Sequence, residues 1–146
     1  MAAPAFVDCY GDVAERLAPE HLALVPGVEV IPGAATGEDE LIGRMQGRLH
    51  VLAYMAYMSG RVLRACPELR TIAYLSTGLA THGDLDEAAR LGIRFEGVKG
   101  YGDRAVAEHA ILLALAALRR LAEMDRRVRA GAWGLMRGEE FAGRTF

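Results

Sequence analysis

The sequence predicts an α/β fold in which helices cover both faces of a parallel β-sheet, followed by one long helix. Short apolar runs alternate five times with helical patterns over the first two thirds of the chain, as expected for βαβ units. Strands that alternate with helices at short spacing are typical of a parallel sheet with helices on both faces. From Asp103 to Ala130 the pattern becomes one apolar stripe at helical spacing, uninterrupted by proline or glycine.

The individual elements follow in order from these patterns. The five predicted strands cover residues 5–7, 28–31, 49–53, 71–75 and 93–98. Helical spacing between them covers residues 13–25, 38–45, 59–66 and 84–91. Pro19 excludes one continuous helix over the first of these segments, because an interior proline removes a backbone donor. Pro67 and Gly92 end the third and fourth segments.

Composition and charge indicate a globular protein of about one domain. Of the 146 residues, 52% are apolar and 25% are charged, which excludes intrinsic disorder and a Cys-rich scaffold. The 17 basic residues are balanced by 19 acidic ones, giving a net charge of −2. Nucleic-acid-binding proteins usually carry a strong basic excess, so we predict no nucleic-acid partner.

Neither a targeting segment nor a membrane span is predicted. The N-terminus lacks the basic region and long apolar run of a signal peptide. The longest apolar stretch, residues 110–118, ends at Arg119 and Arg120, far short of the ~20 residues that a membrane span needs. We therefore expect a cytoplasmic protein with no membrane partner. Cys9 and Cys66 lack Cys-x-x-Cys spacing and are expected to be small buried hydrophobic residues.

One glycine motif has the form of a dinucleotide-binding loop but lacks its partner residue. The sequence Gly-Tyr-Gly-Asp-Arg-Ala at residues 100–105 follows a predicted strand and opens the long helix. Backbone N–H groups in such a turn can approach a pyrophosphate. A dinucleotide site also needs an acid about 20 residues further on, at the end of a second strand. Glu123 has this spacing but falls within the long helix, so we interpret the motif as a turn into a helix.

Two loops at the carboxyl ends of strands are candidate ligand sites, because ligands collect at this edge of open α/β sheets. Residues 76–83 are rich in Ser, Thr and Gly, and could offer backbone N–H groups to an anion or form an ordinary connection. Spacing alone does not choose between these interpretations. Residues 54–58 include two tyrosines and two methionines, which could wall an apolar pocket, although packing is their commoner role.

Motifs for metal binding and for several known chemistries are missing from the sequence. Metal-ligand spacing does not occur among the four histidines, His21, His50, His82 and His109, so we predict no metal site. The absence of Gly-x-Ser-x-Gly argues against a hydrolase elbow.

From Leu69 to its end, the sequence resembles the NAD-dependent D-2-hydroxyacid dehydrogenases. The matching runs stand in family order and spacing at residues 67–70, 76–78, 84–89, 92–93, 106–109, 129–133 and 143–146. The first 66 residues match only in architecture. The resemblance implies that residues 1–100 form a flavodoxin-like substrate domain. Residues 101–146 would then form the interdomain helix and an arm that leads into an NAD-binding domain, which this chain lacks.

The resemblance also implies roles for individual residues. The family's backbone grip on the substrate carboxylate falls on Thr77 and Gly78, with Ser76 beside them. A substrate-contacting loop matches Tyr54 and Met55, and a position near the nicotinamide matches Val106.

Two departures from the family restrict the function that can be predicted. The dinucleotide loop and the catalytic Arg, Glu and His of the family lie beyond the segment that matches residues 143–146, so we predict no catalytic residue in this chain. Phosphate-recognising members carry an arginine where this chain has Ala53, which disfavours a phosphorylated substrate.

The predicted function is therefore that of the substrate-binding part of an oxidoreductase. The complete enzyme would transfer hydride between NAD(H) or NADP(H) and a 2-hydroxy or 2-keto acid. This chain alone is expected to be inactive and to bind no cofactor, and we expect a homodimer. The alternative is a non-catalytic module that binds a small acid or dimerises, with the apolar stripe from Val106 to Met124 buried between two copies.

Overall fold

The computed structural model describes residues 2–145. The chain divides into two compact units, Met1–Lys99 (unit 1) and Gly100–Phe146 (unit 2). Unit 1 contains the β-sheet and the helices that cover it, whereas unit 2 contains two helices and an irregular tail.

The sheet of unit 1 is parallel throughout, and its strand order is β2-β1-β3-β4-β5. Its strands are β1 (Ala5–Cys9), β2 (Glu29–Pro32), β3 (His50–Ala53), β4 (Thr71–Tyr74) and β5 (Arg94–Gly97). The five predicted strands are thus confirmed. This order is that of flavodoxin-like sheets, in which the chain reverses its direction of winding between β1 and β3.

The described part of unit 1 contains five α-helices: α1 (Asp12–Arg16), α2 (Pro19–Ala23), α3 (Glu38–Met45), α4 (Gly60–Arg64) and α5 (Leu85–Arg90). Pro19 occupies the first turn of α2, which explains why the predicted helical segment at residues 13–25 is divided in two. Side-chain caps begin the two helices that follow β3 and β4. Ser59 accepts the Val62 N–H at 3.3 Å, and Asp84 accepts the Glu87 N–H at 3.0 Å.

The core of unit 1 is centred on the inner strands β1, β3 and β4, whereas the edge strands β2 and β5 contain no buried residue. Every residue of β1 is buried, and Met45 and Leu63 of the covering helices pack into the same cluster as Ile72 of β4. Cys9 and Cys66 are both free and buried, which confirms their predicted role. Burial raises the pKa of the Cys66 thiol to about 11.

Unit 2 corrects the prediction of one unbroken helix over residues 103–130. It contains α6 (Asp103–Leu118) and α7 (Leu121–Arg129), separated where Arg120 adopts a left-handed conformation with φ of 53°. The Leu118 carbonyl accepts the Glu139 N–H of the tail at 2.9 Å, so a contact from outside the helix takes up an end carbonyl of α6. None of the described helices is long and apolar enough to cross a bilayer. Phe146, which ends the last matching run, lies outside the described residues.

Candidate functional site

Two loops leave the carboxyl edge of the sheet side by side. The β3 loop comprises residues 54–58, and the β4 loop comprises residues 76–83. Backbone hydrogen bonds join their ends, since the Met58 N–H donates to the His82 carbonyl at 2.9 Å and the Asp84 N–H donates to the Met58 carbonyl at 3.0 Å. The two loops that the sequence singles out are therefore neighbours in the fold.

The β3 loop is organised by a buried carboxylate on the adjacent strand. Asp8 of β1 is only 1% exposed. Its oxygens accept the N–H groups of Tyr54 at 2.8 Å, Met55 at 2.7 Å and Ala56 at 2.7 Å. Three such donors stabilise the charge of the buried carboxylate within the protein. The N–H groups of these three residues are consequently already engaged.

The β4 loop has the opposite arrangement at its first residues. Gly78 has φ of 70°, a conformation that glycine adopts far more readily than other residues. Among the described residues, the N–H groups of Thr77 and Gly78 have no acceptor within hydrogen-bond distance. The peptide unit between Gly78 and Leu79 is also fixed, because the Thr81 hydroxyl donates to the Gly78 carbonyl at 2.8 Å. Thr77 and Gly78 thus present two N–H donors that an anion could accept.

An aromatic cluster of Tyr74, His82 and Phe95 lies beneath the β4 loop. The Tyr74 ring stacks on His82 with centroids 4.9 Å apart and on Phe95 with centroids 5.8 Å apart. The Tyr74 hydroxyl lies 2.7 Å from the Ala56 carbonyl and 2.9 Å from the His82 carbonyl. Burial raises the pKa of Tyr74, so its hydroxyl stays protonated and remains a donor. The cluster therefore joins the two loops from below.

A cavity of about 290 Å³ opens near the ends of β1 and β3, where the winding of the sheet reverses. Asp8, Tyr10, Met55 and Tyr57 are among its lining residues, whereas Thr77 and Gly78 are not. Open α/β sheets commonly bind ligands at such a reversal. The structure therefore places Met55 in this cavity and the Thr77–Gly78 donors outside it.

The other predicted site residues are distributed between the two units. Ser76 lies next to Thr77 and Gly78 on the β4 loop, and Tyr54 lies on the β3 loop with its ring 5.8 Å from that of Tyr10. Val106 lies on α6 in unit 2 and is 69% exposed. Among the described residues, no group of three or more His, Cys, Asp or Glu side chains could hold a metal ion.

Sequence reasoning missed three residues that shape these loops: Asp8, Tyr74 and His82. Asp8 had a usable signal, because an acid inside an otherwise apolar strand must find buried partners. Tyr74 and His82 had none, because their contacts depend on how the loops fold back over β4.

The glycine motif at residues 100–105 does not form a dinucleotide-binding loop. Gly100 has φ of 74° and Gly102 immediately precedes α6, so the glycine motif forms a turn into a helix. Glu123, the acid at the required spacing, lies in α7 and pairs with Arg120 at 2.6 Å. In residues 2–145 no strand follows α6, so the second strand of a dinucleotide-binding βαβ unit is not among them.

Comparison with known proteins places the chain in a family. The sequence model of the D-isomer specific 2-hydroxyacid dehydrogenase catalytic domain matches residues 13–143. Glyoxylate reductase of Thermofilum pendens is 34% identical over 94 residues, a match that covers 60% of this chain and 27% of that protein. D-3-phosphoglycerate dehydrogenase of Mycobacterium leprae is 34% identical over 90 residues, covering 60% and 17%.

Solved structures agree with this placement. NAD-dependent formate dehydrogenase of Staphylococcus aureus, solved with NAD, superposes with a TM-score of 0.71 and 26% identity over 92% of this chain and 44% of its own. The matches span less than a third of the length of the curated relatives. On the strength of the family match over most of its length, the chain belongs to the D-isomer specific 2-hydroxyacid dehydrogenase family.

Proposed function

We propose that this chain is the substrate-binding part of a D-2-hydroxyacid dehydrogenase. The complete enzyme would transfer hydride between a nicotinamide cofactor, NAD(H) or NADP(H), and C2 of a 2-hydroxy or 2-keto acid. Unit 1 would serve as the substrate domain, and unit 2 would form the interdomain helices and arm. The family match and the two free N–H donors of the β4 loop support this assignment.

The observation that best supports this function is that the N–H groups of Thr77 and Gly78 have no acceptor among the described residues. Two adjacent donors match the two oxygens of a carboxylate, and hydrogen bonds to an ionised group are stronger than neutral ones. We therefore assign these residues the role of holding the substrate carboxylate, with Ser76 supporting them.

The β3 loop would contact the substrate through side chains only. The N–H groups of Tyr54 and Met55 already bind Asp8, whereas the Met55 side chain is 51% exposed. Ala53, which stands where phosphate-recognising members carry an arginine, is fully buried at the end of β3. A small buried side chain offers no charge to a phosphate, which favours an unphosphorylated acid.

Hydride transfer itself would need groups that these residues do not supply. A bound nicotinamide cofactor would supply the hydride chemistry, and we assign Val106 a place beside it in the complete enzyme. The general acid/base and the electrostatic stabilisation of the substrate would come from the cofactor-binding part. This polypeptide alone is therefore expected to turn over no substrate.

Titration with glyoxylate followed by two-dimensional ¹H–¹⁵N NMR tests this function. We expect saturable shifts of the Thr77 and Gly78 amides, at constant ionic strength, and none with the neutral analogue acetamide. A parallel assay should detect no oxidation of NADH with glyoxylate or hydroxypyruvate. Amides that do not respond would contradict the carboxylate grip, and measurable NADH turnover would contradict the assignment of catalysis to another part of the enzyme.

The exposed apolar surface of α6 favours a second candidate, a dimerisation module. Ile111, Leu112 and Leu113 of α6 are each about 55% exposed, and so much exposed aliphatic area on one helix is unusual unless another surface covers it. Two copies could bury these residues against each other. Sedimentation equilibrium should then show a dimer that dissociates on Leu112→Glu. A wild-type chain that sediments as a monomer at all concentrations would remove this candidate.

A further inference from the structure

A buried imidazole lies directly behind the carboxylate grip, and the proposed function does not use it. His82 is 8% exposed, and its Nε2 lies 3.0 Å from the Ser76 hydroxyl oxygen. The same hydroxyl lies 3.1 Å from the Thr77 carbonyl oxygen. His82 therefore reaches the peptide that joins Thr77 to Gly78 through one intervening side chain.

We call the chain of contacts from His82 Nε2 through the Ser76 hydroxyl to the Thr77 carbonyl the relay. The number of available hydrogens determines which atom donates in each of its hydrogen bonds. The Ser76 hydroxyl has one hydrogen, so it cannot donate to both His82 and the Thr77 carbonyl. Both contacts are hydrogen bonds only if His82 Nε2 carries a hydrogen and donates it to the Ser76 oxygen. The hydroxyl hydrogen is then free for the Thr77 carbonyl.

The Thr77 carbonyl and the Gly78 N–H belong to the same planar peptide unit, in which they point in opposite directions. A hydrogen bond that holds the carbonyl therefore also sets the direction of the N–H. This control matters at Gly78 in particular, because glycine has more backbone freedom than other residues. The Thr81 hydroxyl fixes the following peptide in the same way through the Gly78 carbonyl, at 2.8 Å.

The imidazole is itself held in place by its surroundings. Its ring stacks on Tyr74 with an interplanar angle of 22°, and Tyr74 stacks in turn on Phe95. The His82 carbonyl accepts the Met58 N–H at 2.9 Å, which ties the backbone of this residue to the β3 loop. A ring restrained in this way can orient a hydrogen-bonded partner without losing further conformational freedom.

We propose that His82 is a positioning residue for substrate binding, which acts through Ser76 to direct the Gly78 N–H at the substrate carboxylate. The inference rests on the proposed function, because it presupposes that Thr77 and Gly78 hold a carboxylate. It adds a residue that touches no substrate and that must carry its hydrogen on Nε2.

Variants of His82 test the relay with the NMR titration described above. His82→Leu should weaken glyoxylate binding by up to about tenfold, the range expected for one oriented hydrogen bond, and should reduce the shift of the Gly78 amide most. His82→Gln, whose amide N–H can replace Nε2, should recover most of the affinity. His50→Gln alters an exposed histidine at the opposite end of β3 and should leave binding unchanged.

Two further measurements distinguish positioning from a general structural role. Ser76→Ala should weaken binding as much as His82→Leu, and the double variant should be no weaker than either, because both changes break one relay. Long-range ¹H–¹⁵N spectra of the wild-type chain should show His82 as the Nε2–H tautomer. This second measurement needs no variant, so it applies even if His82→Leu fails to fold.

The outcomes separate this inference from the function on which it rests. A wild-type chain in which neither Thr77 nor Gly78 responds to glyoxylate would overturn both. Normal wild-type binding with unchanged affinity in His82→Leu would overturn the positioning role alone, as would an Nδ1–H tautomer or fully additive effects of the two single changes.

Discussion

The β3 loop and the β4 loop leave the same edge of one sheet, but their backbone N–H groups have different partners. In the β3 loop, three consecutive N–H groups bind the buried carboxylate of Asp8. In the β4 loop, the N–H groups of Thr77 and Gly78 have no acceptor among the described residues. The β3 loop therefore binds a carboxylate that belongs to the fold, whereas the β4 loop has two N–H donors that no described residue accepts.

This difference indicates which loop can bind an acid through its backbone. A donor that already binds a buried carboxylate would have to break that bond before it could bind a ligand, at a cost comparable to the energy gained. The β3 loop can therefore act only through its side chains, while the β4 loop keeps its backbone for an anion.

We expect the largest change in the free energy of unfolding when Asp8, the carboxylate that binds the β3 loop, is replaced. Asp8→Asn keeps the size of the side chain but sets an NH₂ group against buried N–H donors. We expect the free energy of unfolding to fall by about 3 kcal/mol, the range for a lost charged partner of buried donors. Urea denaturation followed by circular dichroism measures this change.

Asp86→Asn provides the matched control, because Asp86 is exposed on α5. It should change the free energy of unfolding by less than about 0.5 kcal/mol. Equal effects at the two positions would show that the β3 loop does not depend on Asp8, and the contrast between the loops would be lost.

Local patterns in the sequence predicted the strands and located both loops, because short strand patterns that alternate with helical segments mark βαβ units. They could not predict which loop has free donors, since the partner of the β3 loop is Asp8, 46 to 48 residues away. The break between α6 and α7 at Arg120 could not be predicted from local patterns either. Arginine has no special preference for positive φ, and the N–H that binds the Leu118 carbonyl belongs to Glu139 in the tail.

The next largest effect is expected from crowding the β4 loop. A Cβ added at Gly97 of β5 would lie 2.8 Å from the Leu79 side chain and 3.0 Å from the Ser76 carbonyl oxygen. Gly97→Ala should therefore displace the loop and lower the free energy of unfolding by about 2 kcal/mol, as overpacking does elsewhere. It should also weaken glyoxylate binding in the NMR titration.

Gly43→Ala is the control for this substitution, because nothing lies within 4 Å of a Cβ at that position in α3. Alanine is the better helix former, so this variant should be more stable by about 0.5–1 kcal/mol. A Gly97→Ala variant as stable as the wild type would mean that the β4 loop yields easily, which would contradict its role as a preset grip.

A smaller effect is expected at Gly78 itself. A Cβ there would meet only the Thr81 hydroxyl, at 3.9 Å, so the cost of Gly78→Ala comes from its φ of 70° rather than from a clash. We expect a loss of about 1 kcal/mol in the free energy of unfolding, together with weaker glyoxylate binding.

Gly47, with φ of 72° and open space around it, allows the same strain to be introduced away from the loop. Gly47→Ala should cost similar stability and leave binding intact. Equal binding in both variants would show that glyoxylate binding does not depend on the left-handed backbone conformation of residue 78.

The smallest effect is expected from the ion pair that joins the helices following the two loops. Glu87 of α5 binds Arg90 at 2.7 Å and Arg64 of α4 at 2.6 Å. Hydrogen bonds from Arg90 and then Arg64 lower the pKa of Glu87 from its ordinary value of 4.5 to about 2. The unfolded chain therefore binds more protons than the folded chain between these two pH values, so this contribution is present above pH 4.5 and is lost as the pH falls towards 2.

Glu87→Gln should accordingly flatten the dependence of the urea midpoint on pH between about 4.5 and 2, while the midpoint at pH 7 falls slightly. Glu68→Gln removes an exposed carboxylate elsewhere in unit 1 and should leave the slope of the wild type unchanged. If Glu87→Gln kept the full slope, the link between α4 and α5 would contribute nothing to acid stability.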